Sequence, residues 1–232
     1  NTTVITVKPE AAPLEGADIT RLTARLPGAA RIGNGELSGQ MSYRGLFGER
    51  LNLRVDGQRF ASGGPNLMDP VFHYAPGPLI AAVVVDRGVS PVSEGPGLAG
   101  GADAIFKKVD YAQGSSAEFH YDLTLSARSV NDSYSTGGVA GGATKNWRVN
   151  LLGAYEKGED TTFPGGTIAG TEFERGVYGL SAGRKFGGGE VTLDLRHQDT
   201  GPSGNPPFPM DIRYFETDFA RLGLTGDLGS LT

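Results

Sequence analysis

The chain has no cysteine, one tryptophan, three methionines and three histidines. Without cysteine there is neither a disulfide framework nor a thiolate metal site, although that absence alone does not fix the compartment. The apolar run Leu79 to Val85 suits one buried strand and is far short of the roughly 20 residues that a helix needs to cross a bilayer. The 21 Lys and Arg residues are scattered among 26 Asp and Glu, net charge is -5, and no basic footprint exists for nucleic acid. No charged and apolar leader opens the chain at Asn1, which fits either a cytosolic protein or numbering from a mature end. His73, His120 and His197 share no metal-ligand spacing within one element, so each reads as a polar-face or loop residue.

What is abundant is glycine, with 37 residues in 232, roughly twice the usual share, which favours turns and small-residue strands over helices. Asp18 to Leu26 places Ile19, Leu22 and Leu26 on one face of a short helix, with Asp18 as N-cap and Pro27-Gly28 as its stop. Gln40 to Tyr43 and Arg50 to Val55 read as strands, and Asp56-Gly57 as the turn of a hairpin into Gln58 to Ala61. From Ala117 onward the texture changes to period-two alternation. Phe119, Tyr121, Leu123 and Leu125 share one face of Ala117 to Arg128, with His120, Asp122, Thr124 and Ser126 on the other. Trp147 to Glu156, Tyr178 to Gly183 and Glu190 to Arg196 repeat the pattern. Such strands suit a soluble antiparallel sandwich and equally a transmembrane barrel with lipid outside and a polar interior.

Arg44-Gly45-Leu46, Leu53-Arg54-Val55-Asp56-Gly57 and the stretch Leu79 to Lys108, with Asp86-Arg87-Gly88 and its glycine-dense turn, follow one another in a recognisable order. This series resembles the plug domain of TonB-dependent outer-membrane receptors, and it covers about a hundred residues, which makes it far more specific than any one motif. The resemblance implies an α+β plug domain followed by an antiparallel transmembrane β-barrel in the outer membrane of a Gram-negative bacterium. Residues 1-17 are then the TonB-box segment and linker, 18-110 the plug and 111-232 the N-terminal part of the barrel. The residues after Ala117 supply about six strands of about ten residues each, whereas a plugged lumen takes about twenty-two. The expectation is a receptor truncated after its first barrel strands.

The family likeness also assigns roles. Thr3, Val4, Ile5, Thr6 and Val7 stand where the family carries its TonB box, an extended segment that pairs by strand addition with the periplasmic domain of TonB. Arg44 and Arg87 stand where the family's arginines hold the plug to carboxylates of the barrel wall, a task suited to a bidentate guanidinium. Gly63 to Pro70 is similar to the plug apex of the copper-receptor branch, whose cysteine position is Gly64 here and whose histidine position is Leu67. Asn66, Met68 and Asp69 are the ligand-binding candidates that follow, with Met68 the one soft metal ligand, and its expected place is an exposed loop at the extracellular tip. A second loop, Asn205 to Ile212, also resembles that branch.

Two enzyme-like strings do not survive their context. Gly95 to Gly100 fits a dinucleotide-binding string but lacks the following long helix, and Gly179 to Gly183 fits a nucleophile elbow but alternates straight on as a strand. The chain is therefore expected to be no enzyme and to need no cofactor. Its expected partners are TonB, outer-membrane lipid, and a small-molecule or metal substrate such as a siderophore or copper. The competing reading is a soluble or secreted β-rich binding or adhesion module.

Overall fold

The computed structural model describes residues 3-8, 17-37, 39-62, 67-90, 95-208 and 210-226. Two bodies of sheet make up this part of the chain. The first begins with strand β1 (Thr3–Val7), a single helical turn α1 (Thr20–Thr23), and the strands β2 (Ala29–Ile32), β3 (Gln40–Tyr43) and β4 (Leu46–Phe47). β5 (Asn52–Val55), β6 (Ile80–Arg87) and β7 (Gly100–Phe106) follow. β1, β6, β7 and β5 form one mixed sheet in that order, antiparallel except for the parallel β5–β7 pair, and β2, β3 and β4 form a small meander beside it. Ile19, Leu22, Met41, Tyr43, Leu53, Val55, Phe72, Leu79, Val83, Val85, Ala102 and Phe106 make its core.

Two local expectations are corrected. The helix expected over Asp18 to Leu26 is one turn only, because the amides of Arg25 and Leu26 bond back to the carbonyls of Leu22 and Thr23 in the tighter three-residue spacing. Thr23 also turns its Oγ1 to the Thr20 carbonyl at 2.9 Å. Asp18 nevertheless does the work of a cap, its carboxylate receiving the Thr20 amide at 2.9 Å. The hairpin expected from Asp56-Gly57 into Gln58 to Ala61 is a turn with a single bridge, Val55 to Gln58, and β5 pairs instead with β7. Asp56 and Gly57 both have positive φ, 50° and 76°, as a tight reversal needs. The Asp56 carboxylate then takes the Phe106 amide at 3.0 Å, which ties the turn to the end of β7.

The second body is a six-stranded antiparallel sheet. Its strands are β8 (Glu118–Arg128), β9 (Ser133–Ala143), β10 (Trp147–Gly158), β13 (Phe173–Phe186), β14 (Gly189–Ser203) and β15 (Phe215–Gly226), paired in sequence order, while β11 (Thr161–Phe163) and β12 (Gly166–Ile168) make a side hairpin between β10 and β13. The sheet is open: β8 and β15 are its two edges. Links of two or three residues join the strands at one end, and longer connections lie at the other, including residues 159-172 and 204-214.

The alternation read in the sequence is realised with an inverted sense. The face turned toward the first body is buried and largely polar: Asn150, Glu156, Arg175, Ser181, Asp194, Arg196 and Gln198 are all under 9% exposed, with Val139, Leu152 and Val177 as its apolar members. The opposite face is apolar and open, with Phe119, Tyr121, Leu123 and Leu125 each 70% exposed or more and Leu222 and Leu224 alike. Burial of polar groups is costly without partners, so this arrangement depends on how well the first body satisfies that inner face.

Candidate functional site

The two bodies meet through an apolar patch, in which Val139, Leu152 and Val177 of the large sheet join the first body's core, and through a set of hydrogen bonds and ion pairs. Arg175 on β13 and Glu156 on β10 are each 1% exposed and form a salt bridge, with Arg175 Nε donating to Glu156 Oε2 at 2.8 Å. The same guanidinium donates from Nη1 to the His73 carbonyl at 2.6 Å and from Nη2 to the Ala17 carbonyl at 3.1 Å. Ser135 donates to the other Glu156 oxygen at 2.8 Å. A buried pair is stable only when its remaining donors and acceptors are met, and here backbone carbonyls of the first body meet them.

His73 completes this contact from the other side. It lies in a 3-10 turn, Val71 to Tyr74, fully buried, with one ring nitrogen 3.1 Å from the Leu37 carbonyl and the other 3.1 Å from Thr200 Oγ1 of β14. Burial, and then the nearby Arg175 cation, push its pKa down from 6.5 to about 3. The neutral ring packs against Tyr74 and Phe215, and Tyr74 against Phe60 and Phe219.

Further ion pairs cross between the bodies. Arg128 joins Glu36 at 3.2 Å, Lys107 joins Asp122 at 2.5 Å, and Lys108 lies 3.3 Å from Asp194. Arg221 donates to the Asp56 carbonyl at 2.6 Å, and the Arg196 guanidinium sits 4.0 Å over the Phe106 ring. Sequence reasoning missed this set because the arginines belong to the large sheet and most of their acceptors are backbone carbonyls or acids of the first body. Arg44 and Arg87, the contacts expected instead, make no ion pair with the large sheet among the described residues. Arg44 is exposed in a turn at φ 51°, its guanidinium 5.4 Å over the Tyr43 ring, and Arg87 closes β6 half-buried.

Two further candidate segments have defined places. Thr3 to Val7 is the edge strand of the four-stranded sheet, zipped antiparallel to β6 from Thr3 opposite Arg87 to Val7 opposite Val83, with Val4 56% exposed. The loop at Leu67 to Pro70 has a buried Met68 at 6% exposure, not the exposed methionine the sequence suggested. The cause is Asp69, whose carboxylate receives Ser62 Oγ on one side and Tyr74 OH, at 2.7 Å, on the other, drawing the loop down onto the aromatic cluster. Asn66 and Gly64 lie outside the described residues. Beside this loop a cavity of about 250 Å³ is lined by Leu51, Leu53, Phe60, Leu67, Pro70 and Val71, with Gln40, Glu49, Arg59 and Ser62 as polar groups. Gln40 is 7% exposed and its side-chain oxygen has no hydrogen-bond partner.

Two outcomes follow from the contact between the bodies. Arg175→Met strands Glu156 as a lone buried charge and releases two carbonyls, at a cost of about 3–5 kcal/mol. Amide exchange at residues 17-20 and 71-75 should accelerate by about two orders of magnitude or more, and unchanged exchange would contradict the role assigned to Arg175. His73, whose folded pKa is depressed, contributes stability that is full above about pH 6.5 and is lost as pH falls from there toward 3. Exchange in the same segments should therefore rise between pH 6.5 and 4 after correction for intrinsic rates, and His73→Asn should flatten that dependence.

No family model matches this chain, and no curated protein matches it. Solved structures do. The chain is similar to the copper transporter OprC with a TM-score of 0.85 at 20% identity, over 97% of this chain and 35% of that one. It is also similar to the FrpB iron transporter from Neisseria meningitidis, TM-score 0.70 at 18% identity over 97% of this chain and 37% of that one. The siderophore receptor PirA from Acinetobacter baumannii gives 0.67 at 22%, over 85% and 31%. The chain thus spans about a third of the length of these transporters and receptors. Over that third its fold is the one they share, and the likeness to TonB-dependent receptors seen in its sequence, the copper transporter included, holds in three dimensions.

Proposed function

We propose that this chain is part of a TonB-dependent outer-membrane receptor that takes up a scarce nutrient, with residues 18-110 as the plug, 111-232 as the first part of a β-barrel and 1-17 as the coupling segment. The observation that carries this reading is the inverted polarity of the six-stranded sheet. A contiguous row of exposed Phe119, Tyr121, Leu123 and Leu125, continued by Leu151, Tyr178, Leu195 and Leu222, has no place on a soluble monomer and suits lipid. The buried polar face suits a lumen occupied by a plug. The same row argues against the soluble binding or adhesion module.

Energy coupling is assigned to Thr3–Val7. As an edge strand it is built for addition by a further strand, here one from TonB, and its hold on the plug is the ladder to β6. Val4→Pro or Ile5→Pro in the intact receptor removes a ladder donor and strand geometry in that segment alone. Uptake should fall to background with substrate binding retained; equal loss of both would mean that the strand is structural.

For the substrate we favour a metal held in an organic chelate over a bare copper ion. Gly64 supplies no thiolate and the Met68 thioether is buried, so of the soft donors that Cu(I) prefers only the Met210 thioether of the second loop is open. The cavity beside the loop combines apolar walls with the polar side chains of Gln40, Glu49, Arg59 and Ser62, the make-up of a site for an organic group with polar substituents. Gln40→Leu should weaken binding of the chelate by about 1 kcal/mol, roughly fivefold, while Met68→Leu, which keeps the volume, leaves Cu(I) affinity unchanged. Loss of Cu(I) binding in Met68→Leu would restore the metal-ion reading.

A further inference from the structure

We propose that His197, Asp199 and Glu216 form a binding site for one divalent transition-metal ion on the outward face of the six-stranded sheet, away from the plug. His197 and Asp199 are two residues apart on β14 and so share a face, and β15 brings Glu216 directly opposite Asp199 and Asp218 directly opposite His197. One ligand atom from each of His197, Asp199 and Glu216 lies within 4.8 Å of the others.

Two features of the cluster suit a cation. The first is the set of contacts that orient the ligands. His197 Nδ1 lies 2.7 Å from Asp218 Oδ1, which turns Nε2 toward Asp199 at 3.1 Å, and a metal-binding histidine characteristically gives its other nitrogen to a carboxylate in this way. The Tyr178 ring packs on the imidazole with centroids 5.0 Å apart, and Tyr214 OH bonds to Glu216. The second is the cross-strand pairing of Asp199 with Glu216. Like charges directly opposite one another weaken a sheet, and a divalent cation between them turns that repulsion into attraction.

The donor set narrows the ion. One imidazole nitrogen and two carboxylates suit Zn²⁺, Mn²⁺, Co²⁺ or Ni²⁺ and give Cu(I) no soft donor. The position also has a consequence for the fold. The three residues interrupt the outward face beyond Leu195 and Ala220, toward the end that carries the long connections, and a bound ion would tie β14 to β15 at the base of the 204-214 connection.

Calorimetric titration of the detergent-purified receptor with Zn²⁺, with Ca²⁺ and Mg²⁺ as comparison ions, tests the assignment. A single Zn²⁺ should bind with preference over Ca²⁺ and Mg²⁺. His197→Ala should abolish that event, Glu216→Gln should do the same by an independent substitution, and Asp218→Asn should weaken it by about 10- to 100-fold. With Co²⁺ the same site should give visible absorption that is lost in His197→Ala. Absence of Zn²⁺ binding, binding that survives both His197→Ala and Glu216→Gln, or equal affinity for all three ions would overturn the site and leave His197 as a hydrogen-bonded surface histidine.

Discussion

A sheet that hides its charged face and displays its apolar one needs two unusual surroundings at once, and the buried Arg175–Glu156 pair shows how the inner one is met. Neither charge can be left alone at 1% exposure, since an unpaired buried charge costs several kcal/mol. The pair is satisfied by Ser135 within the wall and by the carbonyls of Ala17 and His73 from the N-terminal body. The wall therefore recognises backbone, which every residue carries, at two points far apart in sequence. Docking of the N-terminal body and survival of the wall's polar face are one and the same requirement.

The contacts to the large sheet fall on only part of the N-terminal body. Ala17 and His73 are fastened to the wall by buried hydrogen bonds, and Glu36 by a part-buried ion pair. Thr3–Val7 pairs with β6 at the edge of its sheet, with Val4 and Thr6 exposed and Val7 packed against the core.

Legibility of the sequence was likewise uneven. Strand identity was open to reading in β8, β10, β13 and β14, where period-two alternation runs as from Phe119 to Leu125 and from Val191 to Leu195, but not in the glycine-rich β9 or in β15, where Phe215 and Phe219 turn inward and Glu216 and Asp218 outward. The number of strands came from spacing alone. What could not be read was anything set by partners distant in sequence. Asp56-Gly57 has the chemistry of a hairpin, yet β5 found β7 almost fifty residues later because Gly101 lets the Asn52 backbone come close. The helix at Asp18 lost its second half to a local turn, and Met68 was drawn under by Asp69, whose partners Ser62 and Tyr74 carry no sequence signal. Arg175, Gln198 and His73 were missed for a plain reason: apart from Glu156, their partners are main-chain carbonyls or lone hydroxyls. His197 was set aside because its neighbours are assembled across two strands.

The central claim, that Phe119, Tyr121, Leu123 and Leu125 face lipid while Asp122 and Thr124 face the plug, is most directly tested by a nitroxide scan of residues 119-125 in the receptor reconstituted in bilayers. Collision with oxygen, which concentrates in lipid, should alternate with period two and peak at 119, 121, 123 and 125, while a water-soluble nickel chelate stays excluded from those positions. High chelate accessibility at the odd positions, or no alternation at all, would contradict a lipid-facing wall and with it the receptor reading.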